Sequence, residues 1–289
     1  MVDYLTLGTG AVGGLVSAGL LKAPMETISD IWYVVFGHKI SAKADEVRLT
    51  QAINLQKLKN SLEAEINKID EKNLQIPKVS IVGPALEASK FYIEEDDIRD
   101  MFAKIISSSM DKSKSPYLHH SFVEIVKMLS PLDAQNLSYI FKNKDRAIVN
   151  LKYMFKLGGH RHVRKHIYLG NPEIKDLDSI RPSIENLIRL KLLDVTYSEW
   201  INDERQYDKF KETDLYTNLT QSISTENHQL QEILNVIETN NITYHDQSTA
   251  LDVDYLKSTL EKGIIERLEV EKGILELTAF GQNFCTICL

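Results

Sequence analysis

Cysteine occurs only twice in 289 residues, as Cys285 and Cys288 near the end. A disulfide framework is thereby excluded. A single C-x-x-C with no second pair and no βαβ pattern around it reads as two thiols packed on one helix face rather than as a metal or redox site. Positive charge is in short supply as well: the formal charge of −7 excludes a protein whose whole surface grips a polyanion. No Gly-x-Ser-x-Gly elbow surrounds Ser107, Ser108 and Ser109, so these serines read as the end of an apolar helix and not as a nucleophile. A charged leader followed by an apolar core and a cleavage site is also missing. The expected compartment is therefore the cytoplasm, with the inner face of the membrane as an extension.

Glycine is scarce except at the N-terminus. Leu5 to Leu21 is seventeen residues without a charge and holds Gly8, Gly10, Gly13, Gly14 and Gly19, at the lower limit for a helix that crosses a bilayer. Gly10, Gly14 and Ala18 fall four apart, a small-residue stripe that lets two helix backbones approach closely. Trp32 and Tyr33 in the next apolar patch suit a headgroup boundary. Membrane contact or self-association through Gly10, Gly14, Ala18, Trp32 and Tyr33 is one reading, and tight packing within a core is the other. Gly8-Thr9-Gly10-Ala11-Val12-Gly13 also spells a dinucleotide fingerprint. Asp30, however, precedes the next apolar run where the motif needs an acid closing a second strand, so no cofactor is predicted.

What is abundant is helical periodicity. From Ser41 to Leu74 the chain is charged, with Leu55, Leu58, Leu62, Ile66 and Ile69 spaced three and four apart. This predicts a helix of about thirty residues and roughly 45 Å, laid along its neighbours or serving as a strut. Val79 to Ala134 is the organising stretch. Ile98, Met101, Phe102, Ile105, Ile106 and Met110 form one stripe, and Phe122, Ile125, Val126 and Leu129 another. Pro84 is expected at the first helical position of a shorter run that includes Phe91. Glu94 to Asp97 read as a helix start, and Ser130-Pro131-Leu132-Asp133 as a capped one.

The same stretch carries a family resemblance. Gly83-Pro84-Ala85-Leu86-Glu87-Ala88, Met101-Phe102-Ala103-Lys104 leading to Ser108-Ser109-Met110-Asp111-Lys112, and His120-Ser121-Phe122-Val123-Glu124-Ile125-Val126 resemble the Abi-alpha family of abortive-infection proteins. The closing Leu277-Thr278-Ala279-Phe280-Gly281-Gln282-Asn283-Phe284-Cys285 resembles that family's end. The chain departs from the family pattern at His119-His120-Ser121, where His-Pro is usual, and at Lys191, where glycine is usual. The resemblance implies a role in prokaryotic defence against phage and supplies no agreed catalytic residue.

Past Leu129 the pattern changes. An apolar segment, Ile148 to Phe155, precedes a polar turn region. Pro182 is expected to open a helix with Ile184, Leu187, Ile188 and Leu192, after which Leu193 to Tyr197 and Gly273 to Thr278 read as short strands. Helix followed by strands is winged-helix order, and a second tandem unit starting at Gly263-Ile264-Ile265 is an alternative. Between the strands lies an insertion with a helix at Leu230, Ile233, Leu234 and Ile237. The stretch from Glu199 to Asp254 carries twelve acids against three bases. Gly158-Gly159 followed by His160, Arg161, His162, Arg164, Lys165 and His166 reads as a basic loop. With Arg189 it is the candidate phosphate or nucleic-acid contact, and its alternative is a solvated surface turn. No carboxylate or cysteine stands at partner spacing to these histidines, or to His119 and His120, so no metal is predicted.

The expected architecture is mainly α, with a helical N-terminal and central region and a C-terminal winged-helix-like α+β domain. Its parts are a glycine-rich segment (1–36), a long charged helix (37–76), a helical core (77–129) and the final domain (130–289) with an acidic helical insertion at about 199–262. The expected activity is non-enzymatic, through a protein partner or phage trigger, a membrane or a homo-oligomer. Nucleic-acid binding is the alternative.

Overall fold

The computed structural model of the chain describes residues 22–36, 45–143, 145–174, 176–239 and 253–289. Gly10, Gly14 and Ala18 lie outside them, as does the side chain of Tyr33. The chain is mainly α with an α+β C-terminal part and divides into two compact units. One is Met1–Lys144 with Asn186–Leu193 and Leu277–Leu289; the other is Asp145–Glu185 with Asp194–Glu276.

The first unit is helical: α1 (Lys22–Phe36), α2 (Asp45–Ile66), α3 (Val79–Tyr92), α4 (Asp96–Ser109), α5 (Ser121–Lys127), α6 (Pro131–Asn143) and, at the end of the chain, α11 (Ala279–Cys288). Its hub is α4, which packs against α2, α3, α5, α6 and α11. The reason is the stripe itself, since Ile98, Met101, Phe102, Ile105 and Ile106 are all buried and need apolar neighbours on several sides. Leu58, Leu62 and Ile66 of α2 are buried too, and Ser61 Oγ donates to Asp100 Oδ1 at 2.7 Å. The charged helix is therefore laid along the core. It is shorter than expected, ending at Ile66 and not near Leu74. At α6 a reciprocal cap forms: Ser130 N–H donates to Asp133 Oδ2 at 2.8 Å and Asp133 N–H to Ser130 Oγ at 3.2 Å.

Three expectations in the helices are corrected. Pro84 sits inside α3 and not at its start, because Ile81 and Val82 are buried and draw the preceding turn into the helix. Pro182 likewise sits inside α7 (Leu177–Arg189). There the Asp176 carboxylate accepts Asp178 N–H at 3.0 Å and starts the helix earlier. Each proline forfeits one intrahelical hydrogen bond. Phe91, expected on the apolar face, is 79% exposed.

The second unit is built on one four-stranded sheet in the order β2-β1-β4-β3: β1 (Ala147–Phe155), β2 (His160–Tyr168), β3 (Leu193–Thr196) and β4 (Ile265–Leu277). β1 pairs antiparallel with both β2 and β4. The helices α8 (Arg205–Lys211), α9 (Asp214–Thr239) and α10 (Val253–Lys262) lie between β3 and β4 in sequence. One face of β1, Ala147, Val149, Leu151 and Tyr153, is core with Tyr207 and Phe210 of α8. Leu215, Leu219 and Ile223 of α9 pack against it. The basic stretch expected as a loop is strand β2, and the glycines form its turn, Gly158 at φ 94° and Gly159 at φ 83°. The expected strands beginning near Ile265 and Gly273 are one continuous β4, so all four strands belong to a single sheet.

Candidate functional site

The other face of this sheet carries the polar chemistry. Cross-strand register sets Asn150 against Glu271, Lys152 against Glu269 and His162, and Met154 against Arg267 and His160, and paired residues share a face. The Glu271 carboxylate accepts from Asn150 Nδ2 at 2.7 Å and lies 3.0 Å from His162 Nε2. Lys152 Nζ reaches Glu269 at 3.2 Å and Glu271 at 3.5 Å, and Arg267 Nη2 donates to Glu269 at 2.9 Å. Burial pushes both carboxyls up. The hydrogen bonds and cations outweigh it, Asn150 and His162 on Glu271, Arg267 and Lys152 on Glu269, and both end below the ordinary glutamate range.

The register of β2 is broken twice. Val149 pairs with Ile167 and Leu151 with Arg164, so Asn150 alone faces Lys165 and His166; a second shift follows between Leu151 and Lys152. These are β-bulges, which re-aim side chains. At the first, His166 takes φ 55°, its N–H donates to Asn150 Oδ1 at 3.0 Å, and its Nδ1 lies 3.0 Å from the Tyr197 hydroxyl. Tyr197 lies against Gly273, where a Cβ would come within 2.6 Å of its ring. Burial pushes the Tyr197 hydroxyl up, with the Glu271 charge adding to it, and pulls His166 down.

The sequence-based candidates are dispersed among acids. Arg161 Nη2 pairs with Glu226 of α9 at 2.8 Å, and its Cζ lies 5.4 Å from the centre of the Tyr153 ring. Arg164 pairs with Asp178 at 3.4 Å, and His162 with Glu271. His160 and Lys165 are exposed, and the His160 ring meets His162 edge-on at 5.1 Å. Arg189 belongs to the helical unit, where its guanidinium donates to Asn186 Oδ1 at 2.7 Å. Trp32, expected at a lipid or subunit boundary, is 1% exposed on α1, which packs on α3. Among the described residues, no group of three or more His, Cys, Asp or Glu side chains could hold a metal ion, and no helix is long and apolar enough to cross a membrane.

Sequence reading missed Asn150, Lys152, Tyr197, Arg267, Glu269 and Glu271. Their one signal was alternation: Arg267, Glu269 and Glu271 interleave with Leu268 and Val270, a period of two.

The sequence model of a family described as abortive infection alpha matches residues 50–288. The chain belongs to this family. No curated protein and no solved structure matches it. Two features of this family member are explained by its geometry. Lys191, standing where glycine is usual, has φ 59°, and its position closes α7 with Leu192 N–H donating to Leu187 O at 3.0 Å. At the His-His-Ser departure, His119 Nδ1 accepts Ser121 N–H at 3.1 Å, satisfying a donor at the start of α5.

Proposed function

We propose that the chain is a non-enzymatic anti-phage protein of the abortive infection kind, acting by contact with a protein partner, a membrane or copies of itself. The observation that carries the defence role is the family match over residues 50–288. The non-enzymatic reading is supported by how the reactive side chains are used. Ser107 Oγ donates to Lys104 O and Ser109 Oγ to Ile106 O, within their own helix. Cys285 and Cys288 are buried, with burial pushing the Cys285 thiol up to about 12. Glu271 of the sheet face is committed to hydrogen bonds with Asn150 and His162 and an ion pair with Lys152. Expression in a phage-sensitive host tests the role: fewer plaques, with infected cells dying before phage release, is the expected outcome, and unchanged plaque numbers across phages of several types count against it. Gly10→Leu with Gly14→Leu tests the membrane or self-association route. Loss of protection with the chain still folded supports that route, and intact protection counts against it.

A second reading, a winged-helix-like nucleic-acid binder, is favoured by the exposed Arg161 and Lys165 of β2 and disfavoured by the pairing of Arg161 and Arg164 with acids. A steep salt dependence of DNA or RNA binding, lost in Arg161→Ala, Arg164→Ala, Lys165→Ala, would support it.

A further inference from the structure

His166 is held from three directions. Its backbone occupies the left-handed region, which residues other than glycine adopt rarely. The conformation is fixed by the bulge, in which the N–H bonds to the side chain of Asn150, itself 4% exposed and tied to Glu271. Tyr197 then reaches over Gly273 to the imidazole. Strain of this kind persists only where the surroundings over-determine it, and it clusters at functional sites and switch regions. We propose that His166 and Tyr197 form a proton-sensitive latch, which holds the bulged end of β2 to the residue that follows β3 and releases it as the pH falls below neutrality.

The charged groups facing the imidazole are Lys165 on its own strand and Arg181 and Glu185 on α7, with Glu271 of β4 acting on Tyr197. In the latched form burial disfavours the imidazolium, Arg181 and Lys165 oppose it, and Glu185 alone favours it. Once released into water, His166 regains the ordinary affinity for a proton, near pH 6.5. The released form therefore binds more protons, so the latch is strongest above that pH and weakens below it. A neutral Nδ1 accepts the Tyr197 hydrogen, whereas an imidazolium must donate there instead and places its charge beside two cations.

The test is a nuclear magnetic resonance titration of the full chain from about pH 8 to about pH 5, spanning the histidine range, with amide and imidazole signals followed together. The amides of His166 and Tyr197 should shift or broaden together as His166 titrates, at a midpoint below the ordinary histidine value of 6.5. His166→Asn, which tolerates the left-handed backbone and carries no titrating ring, should keep the sheet pattern at high pH and lose the coupled change. Tyr197→Phe should raise the His166 midpoint. The proposal is overturned if Tyr197 stays still while His166 titrates, if His166→Asn keeps the same pH response, or if Tyr197→Phe leaves the midpoint where it was.

Discussion

Lys191 shows most directly how a single backbone angle translates into stability. A lysine at φ 59° meets a steric penalty of roughly 1–2 kcal/mol that glycine escapes, partly offset by glycine's greater freedom in the unfolded chain. Lys191→Gly should therefore stabilise the protein by about 1 kcal/mol, read as a rise in the denaturant midpoint; an unchanged or lower midpoint would refute the assignment. The reverse case is Gly281, where an added Cβ would lie 2.0 Å from the Leu192 carbonyl oxygen, so Gly281→Ala should be destabilising in the same measurement. Thiol chemistry gives a third residue-scale prediction. Because Cys288 is fully buried and burial pushes Cys285 up to about 12, neither should react with a thiol reagent at neutral pH until denaturant is added. The Ser130-Asp133 cap and the helical end at Ser109 were legible because their signals are local. The left-handed angle at Lys191 was not, since lysine carries no mark of the conformation it is forced into.

Among the elements, α2, α4 and α5 followed from their stripes, and the buried faces of α2 and α4 are those the spacing indicates, whereas α1 was read only as an apolar patch. Leu62→Ala, removing a fully buried side chain, should cost about 2–5 kcal/mol in a denaturant titration. Strand β2 was hidden for three physical reasons. It is an edge strand, it holds few apolar residues, and its two bulges break the period of two by which strands are recognised. Charges and bulges on an edge also discourage pairing with other chains, so what resembled a ligand-binding loop is equally what such an edge requires. The cluster across β2, β1 and β4 has a pH signature. Glu269 and Glu271 sit below their ordinary value of 4.5 in the folded chain. On acidification the unfolded chain takes up protons first, and the stability they confer is lost as pH falls from about 4.5 through the folded values. Unfolding measured from about pH 6 to about pH 3.5 should show this loss, and Glu271→Gln should make it shallower.

For the molecule as a whole, the family match explains why the helical core was readable, since the segments Gly83 to Ala88 and Met101 to Lys112 fall in α3, α4 and the turn beyond. The polar sheet face was not readable in the same way. It exists only through register, which brings Glu271 to Asn150 and His162 from over a hundred residues away. Under the function proposed above, such a face is a structural network and not a reaction centre. The most direct test is phage plating on cells expressing the wild-type chain, Cys285→Ser with Cys288→Ser, and His162→Gln with Glu271→Gln, each shown to be folded by its thermal transition. Protection by all three is the predicted result. Absence of protection by the wild-type chain, or its loss in either folded variant, would contradict the claim that this protein defends by contact and not by chemistry.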